Sequence, residues 1–365
     1  MKKVLILYTS IGSGHLSAAR ALESALKNQY SDIDVRVVDV FNSSIQTSKI
    51  PEYLTLLSIL AFPGVYDRAW RSGSMKGLYQ LTSRIWFIRG KVMRVFRDYN
   101  PDITVCTHTL PCTILANMKE RTSRLIAVPT DFVAHPYWPI RGVDAFLVAS
   151  EYTKKGLEKR GVEPGIVIST GIPVHPEFGE LFPIANLSGK QKILVLGGSR
   201  QVAPYAAMKP ILRHLILYLK MHPTRNIEWE FIFGNNKTLH AFAQRHLGEG
   251  KKITLEGYVD NMPKRLAESS LVMTKPGGLI LAESLALGKP VVFLTRGTGQ
   301  EAANTEFVEA TRTGWVLNQR EKLIEFIQEF DNDPSCIEEV RKIVNQYRYP
   351  DSVRVAAEII RNNCV

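Results

Sequence analysis

The stretch Thr274-Lys275-Pro276-Gly277-Gly278, with Glu283 about one helical turn on and Gln300-Glu301 beyond the next apolar run, gathers residues able to do chemistry. Two adjacent glycines after a short apolar run let a ligand approach the main chain with no Cβ in the way. Leu279 to Leu287 spaces its apolar residues as a helix does, and the unpaired N–H groups that open a helix suit a phosphate. A carboxylate at Glu283 can accept both hydroxyls of a ribose diol, and Gln300 with Glu301 can hold sugar hydroxyls. By residue type alone, Gly277-Gly278 is as well read as a plain turn, and Glu283 as a residue that favours the helix dipole.

Two further groups could move protons. His15 closes Gly12-Ser13-Gly14-His15 at the mouth of the first helix, where the dipole lowers its pKa and leaves a neutral imidazole able to take a proton. A lone histidine is more often structural. Asp131 and His135 sit in Pro129-Thr130-Asp131-Phe132-Val133-Ala134-His135-Pro136-Tyr137-Trp138, after an apolar strand. Ligands bind beyond the carboxyl ends of strands in open α/β sheets, which makes the two an acid–base candidate pair. A turn residue and a pre-proline spacer would look the same.

These residues need a scaffold. Lys3 to Tyr8 reads as a strand, Thr9 to His15 as a glycine-rich loop, Ser17 to Leu26 as a helix and Asp34 to Val40 as a second strand. That order argues a doubly wound, Rossmann-like domain. The third glycine of a dinucleotide fingerprint is missing after Gly12-x-Gly14, which disfavours NAD. Strands follow at 103–106, 125–128, 144–149 and 166–170, and residues 175–191 have little periodicity and read as a linker. A second strand–glycine-turn unit starts at Ile193 to Leu196 with Gly197-Gly198-Ser199-Arg200, where the guanidinium either serves a phosphate or caps its own loop. The expected division is 1–174, linker 175–191, a second domain 192–348, and a helix within 349–365 that packs back on the first domain.

Residues 50–99 differ in character. Leucines and isoleucines crowd 54–65, then Arg68, Arg71, Lys76, Arg84, Arg89, Lys91, Arg94 and Arg97 interleave with Trp70, Tyr79, Trp86 and Phe87. An apolar, aromatic and basic stretch suits a surface resting on anionic lipid, with the aromatics at the interface and the cations on head groups. Amphipathic helices covering the sheet, their arginines merely solvated, would give the same pattern.

Across 365 residues the formal net charge is +11, which points to an anionic partner. No RNA-binding or zinc module appears, so nucleic acid is disfavoured. Four scattered cysteines (Cys106, Cys112, Cys336 and Cys364) lack metal or disulfide-scaffold spacing and read as reduced thiols in a cytoplasmic protein. The run Val4 to Leu7 is too short for a signal peptide, and the longest apolar stretch, Tyr53 to Tyr66, is broken by Pro63-Gly64.

Thr274-Lys275-Pro276-Gly277-Gly278, Glu283-Ser284, Gly288-Lys289-Pro290 and Gly299-Gln300-Glu301 with Asn304, taken with Gly12-x-Gly14-His15 and Thr130-Asp131-x-x-x-His135-x-x-Trp138, resemble one glycosyltransferase family. It is that of the monogalactosyldiacylglycerol synthases and processive diacylglycerol glucosyltransferases, glycosyltransferase family 28. The resemblance implies the GT-B fold, two Rossmann-like domains facing a cleft. It implies an inverting transfer of hexose from a UDP-sugar to diacylglycerol or a glycosyl-diacylglycerol by an enzyme peripheral to the cytoplasmic face of the membrane. Donor-side residues would be Gly198, Ser199, Tyr258, Val259, Lys275, Pro276, Gly277, Gly278, Leu279, Glu283, Gln300, Glu301 and Asn304, with the Tyr258-Val259 backbone gripping uracil unless that loop is an ordinary one. Gly14, His135 and Trp138 would lie on the acceptor side, with His15 or Asp131 as the base. Amides of Gly277 and Gly278 would neutralise the leaving diphosphate, making a cofactor or catalytic metal unnecessary. Asp32-x-Asp34, an Asp-x-Asp pair, reads as a loop before the second strand. UDP-N-acetylglucosamine 2-epimerases share the fold, and a membrane-bound UDP-sugar sensor that transfers nothing is the non-enzyme alternative.

Overall fold

A computed structural model describes residues 1–10, 13–41, 68, 86–119, 121–181, 191–197, 204–248 and 252–363. It divides the chain into two units, residues 1–176 with 351–365, and residues 177–350. Gly198, Ser199, Arg200, Cys364 and residues 50–85 other than Arg68 lie outside the described residues, as do the side chains of Trp86 and Phe87.

In the first unit, runs of β-branched and leucine residues form β1 (Lys2–Tyr8), β2 (Ile33–Asp39), β3 (Ile103–Cys106), β4 (Arg124–Ala127), β5 (Ala145–Val148) and β6 (Val167–Ser169). They make a parallel sheet in the order β2-β1-β3-β4-β5-β6. All four residues of β3 and of β5 are buried, as expected for a sheet covered on both faces. The covering helices are α1 (Ser13–Gln29), α2 (Trp86–Tyr99), α3 (Thr109–Ala116), α4 (Glu151–Lys159) and the chain's last helix, Ser352–Asn362. Two differences from the sequence reading bear on the site. Helix α1 starts at Ser13, so His15 stands in its first turn and not in a loop; Asp34 belongs to β2, so Asp32-x-Asp34 is not wholly a loop.

Helix α2 explains part of the basic-aromatic stretch. Ile88, Val92, Phe96 and Tyr99 are buried in the core, while Arg89, Arg94 and Arg97 are exposed. This end of the stretch is therefore an amphipathic cover for the sheet with a cationic outer face. The last helix lays Val353, Ala356, Ala357 and Ile360 into the apolar cluster of Leu22, Ala25 and Leu26 on α1. Its ends are tied by Arg361 to Asp32 at 2.8 Å and by Arg124 to Asn363 at 2.6 Å.

The second unit opens with α5 (Glu177–Glu180), one helical turn where the sequence suggests only linker. Its strands are β7 (Gln191–Leu196), β8 (Ile227–Ile232), β9 (Ile253–Glu256), β10 (Leu271–Thr274), β11 (Val291–Phe293) and β12 (Gly314–Val316). They too are parallel, in the order β12-β11-β10-β7-β8-β9. Its helices are α6 (Pro204–Met221), α7 (Lys237–Leu247), α8 (Met262–Glu268), α9 (Gly278–Ala286), α10 (Gln300–Thr311), α11 (Arg320–Asn332) and α12 (Glu338–Val344), which leaves Ser352–Asn362 as α13. Gly288 takes φ +69 just past α9, the left-handed turn that lets the chain reverse into β11.

Each sheet reverses its winding once, between β1 and β3 in the first unit and between β7 and β10 in the second. Crevices for ligands form at the carboxyl ends of strands on either side of such a reversal. His15 follows β1 and the Lys275–Gly277 turn follows β10, so both candidate sites sit where the topology provides room.

Candidate active site

In the first unit, three strand ends converge on one imidazole. The Thr107 N–H donates to Leu7 O at 3.1 Å, which fixes the chain leaving β3 beside the chain leaving β1. Thr107 and His15 then bond twice: the Thr107 hydroxyl donates to the His15 carbonyl at 3.0 Å, and His15 Nδ1 meets the Thr107 carbonyl at 2.8 Å. A carbonyl only accepts, so Nδ1 carries the hydrogen and Nε2 is left as the proton acceptor. Thr130 Oγ1, beyond the end of β4, lies 2.9 Å from the same Nδ1. Burial pushes the His15 pKa down to about 4, partly opposed by the Thr107 carbonyl. Loss of water around a half-buried ring, rather than the helix dipole invoked from sequence, is the main cause.

Two more histidines stand close by. His108, the cap of α3, accepts the Leu110 N–H on Nδ1 at 3.1 Å, and its ring lies perpendicular to that of His15 with centroids 4.8 Å apart. Burial, then His15, then His135 hold its pKa well below the usual histidine value. His135 accepts the Tyr137 N–H on Nδ1 at 3.2 Å; burial, then Arg160, then His15 push it down to about 3. His108 went unnoticed in the sequence, although Thr107-His108-Thr109 follows a strand end just as Asp131 does.

The loop carrying Asp131 is clamped from outside. Arg160 donates to the carbonyls of Ala134 (3.2 Å), His135 (2.8 Å), Pro136 (2.9 Å) and Trp138 (3.2 Å). Thr153 holds Phe132 O at 2.7 Å and Thr109 holds Tyr137 O at 2.9 Å. His135 and Trp138, expected to touch an acceptor, are 3% and 4% exposed, and the Trp138 ring packs on Phe146 with centroids 6.4 Å apart. They build the loop from within. Asp131, next to Thr130, is half-buried, as is Gly14 one residue before His15.

In the second unit the Lys275–Gly277 turn is closed by Gly277 N–H to Lys275 O at 2.8 Å, and α9 begins at Gly278. Gly277 caps the helix with no side-chain bond, so the first amides of α9 have no partner within the helix. Leu279 is half-buried in that first turn. Glu283 lies in the next turn; burial raises its carboxyl to about 8, and among the described residues no ion pair or hydrogen bond meets that side chain. An uncapped helix start followed by a desolvated carboxyl offers a diphosphate its N–H donors and a diol its acceptor.

The rest of the motif supports this turn. Asn304, expected on the donor side, is fully buried on α10, and its amide donates to Pro276 O at 3.1 Å, so it braces the loop. Lys275 pairs with Glu301 at 2.5 Å, which ties the turn to the start of α10 beside the half-buried Gln300. Gly297, at φ +67, lets the next loop close over both: a Cβ there would stand 2.5 Å from Glu301 Cβ and 3.0 Å from Pro276 Cγ. Tyr258 is 71% exposed beyond β9, with Val259 half-buried beside it. Among the described residues no group of three or more His, Cys, Asp or Glu is placed to hold a metal ion.

Two parallel, doubly wound sheets in tandem define the GT-B class. The chain is similar in fold to Acinetobacter baumannii MurG (TM-score 0.66, 14% identity, 99% of this chain and 100% of that one). It is likewise similar to the S. aureus MnaA–UDP co-structure (TM-score 0.62, 17% identity, 99% and 95%). Residues 15–174 match the monogalactosyldiacylglycerol (MGDG) synthase model and residues 192–350 the glycosyltransferase family 28 C-terminal domain. The processive diacylglycerol beta-glucosyltransferase of Bacillus subtilis (strain 168) is 27% identical over 98% of this chain and 94% of that protein. The chain is thus a glycosyltransferase of the MGDG synthase and diacylglycerol glucosyltransferase family.

Proposed function

We propose that the protein transfers a hexose, glucose or galactose, with inversion from a UDP-sugar to the free hydroxyl of diacylglycerol or of a glycosyl-diacylglycerol. The observation that carries this reading is the uncapped start of α9 with Glu283 behind it, a ready site for a nucleoside diphosphate in a chain of this family. Glu283 accepts the ribose hydroxyls. The acceptor's hydroxyl proton passes to His15 Nε2 as its oxygen bonds to the anomeric carbon, and the bond from that carbon to the diphosphate oxygen breaks. Amides at the start of α9 meet the charge left on the diphosphate, so a metal is not required for that step. Asp131 is the alternative proton acceptor. The exposed Arg89, Arg94 and Arg97 on α2 suit contact with anionic lipid on the cytoplasmic face of the membrane; no helix among the described residues is long and apolar enough to cross it.

The test is incubation with radiolabelled UDP-glucose or UDP-galactose and diacylglycerol vesicles. Labelled glycolipid together with free UDP supports the reading. Conversion of a UDP-sugar to its epimer without any acceptor would replace it with an isomerase, and UDP binding with no turnover would replace it with a sensor.

A further inference from the structure

The three clustered imidazoles are neutral at ordinary pH, so each carries one N–H. His15 places its hydrogen on Nδ1, toward the Thr107 carbonyl. His108 and His135 repeat a different device: each accepts, on Nδ1, the backbone N–H two residues ahead, from Leu110 and from Tyr137. Their hydrogens are therefore on Nε2. Among the described residues, His15 Nε2 is the ring nitrogen of the cluster left with neither a hydrogen nor a backbone donor to accept. Protonating His108 on Nδ1 would cost α3 its cap, and the two rings are too close to carry charge together.

A hydrogen bond at Nδ1 fixes one atom of the His15 ring but leaves the ring free to rock about it. A buried ring standing perpendicular to it, at 4.8 Å, supplies the wall that stops this motion. The wall is itself rigid, because the cap bond to Leu110 holds the His108 ring and the α3 start together. We propose that His108 is a positioning residue, holding the His15 imidazole in the single orientation in which Nε2 can take the acceptor's proton. This rests on His15 being the base. Among the described residues, the other polar groups around the His15 ring are the Thr107 carbonyl from the end of β3 and the Thr130 hydroxyl from the end of β4, with Asp131 next in the chain and His135 within electrostatic reach.

Two substitutions separate the wall from the cap. His108→Asn keeps a side-chain oxygen able to accept the Leu110 N–H but removes the ring; His108→Phe keeps a ring and removes the acceptor. His108→Asn should lower kcat roughly 10- to 100-fold with the KM for UDP-sugar unchanged. It should also move the acidic limb of the kcat/KM profile upward, because water reaches His15. His108→Phe should melt at lower temperature yet keep at least about tenfold more kcat than His108→Asn. Equal losses of kcat in both variants, or a His108→Asn enzyme with wild-type kcat and pH profile, would overturn the role. His15→Ala serves as the control: if it turns over normally, the base assignment itself is gone, whereas an inactive His15→Ala beside a normal His108→Asn removes only this inference. Long-range 1H–15N spectra of histidine-labelled protein read the same point without activity. They should show His15 protonated on Nδ1 in the wild type and a mixture of tautomers in His108→Asn; an unchanged His15 signal in the variant would also count against the role.

Discussion

In the first unit the side chains around His15 arrive already bonded: Thr107 to the His15 carbonyl and Leu7, His108 to Leu110, His135 to Tyr137 and Arg160 to four carbonyls. In the second unit α9 begins without a side-chain cap, and no described residue bonds the Glu283 side chain. The contrast is what the proposed roles of the two places call for. Moving a proton requires a base whose tautomer and direction are set before the substrate arrives. Holding an anion and a diol requires donors and an acceptor that the fold has left incomplete, since a satisfied group has little to gain from a ligand.

The largest expected effect falls on the finished side. His15→Ala should reduce kcat roughly 10²- to 10⁴-fold with donor affinity nearly unchanged, and Asp131→Asn should do less. Steady-state kinetics with both substrates varied gives the ranking, and an inactive Asp131→Asn beside a merely slow His15→Ala would transfer the role to Asp131.

On the unfinished side, Glu283→Ala should weaken UDP binding by about 1.5–3 kcal/mol, roughly 10- to 100-fold, the value of hydrogen bonds to a charged group. With the free carboxyl raised to about 8, ionising it to receive the diol releases a proton. UDP affinity should therefore rise with pH up to about 8 and level off above it, by up to ~10-fold from pH 7, whereas Glu283→Gln should show a flat profile. Calorimetry in buffers of different ionisation enthalpy reports that proton directly, and pH-independent binding in the wild type would show that Glu283 does not meet the ligand as a carboxylate.

A smaller effect tests whether the first unit's order depends on its clamp. Arg160→Lys keeps the charge but not the planar fork that reaches four carbonyls. A loss of about 2 kcal/mol would lower Tm by roughly 4–8 °C, and the acceptor KM should rise while the donor KM holds. A melting curve that does not move would mean the 134–138 loop is held by its buried aromatics alone. Smallest of all, replacing Arg89, Arg94 and Arg97 with glutamine should reduce sedimentation with anionic vesicles modestly, and added salt should mimic the change. Equal binding of the wild type to neutral and anionic vesicles would remove electrostatics from the account of α2.

The second unit was the more legible of the two in sequence, because its chemistry is largely backbone. Gly277-Gly278 and Gly288-Lys289-Pro290 announce a turn, a helix start and a helix stop through local conformational preference alone. Glu283 follows from its place one turn later. Asn304 was legible as part of the motif, but type and spacing do not reveal that its amide turns inward to a carbonyl 28 positions earlier. The same limit hid the first unit's cluster. His108 lies 93 positions from His15 and Arg160 more than 20 from the loop it grips, and only the parallel order of β1, β3 and β4 brings them together. Composition left 86–99 open between a lipid-facing surface and an amphipathic cover, because it does not show that Ile88, Val92, Phe96 and Tyr99 all turn inward and make α2 a cover for the core.

Helix α13 has a consequence for how the protein is made. The first unit is encoded in two instalments, residues 1–176 and 351–365, with the whole second unit between them. A ribosome adds residues in order, at about 5–20 each second. For many seconds the nascent chain therefore holds Leu22, Ala25 and Leu26 of α1 without the Val353, Ala356, Ala357 and Ile360 that will cover them. The unit that starts first is completed only after the second has been made. Until those residues have been made its apolar seam is open to water and to other nascent chains, and a stop codon ahead of Val353 would leave it open permanently.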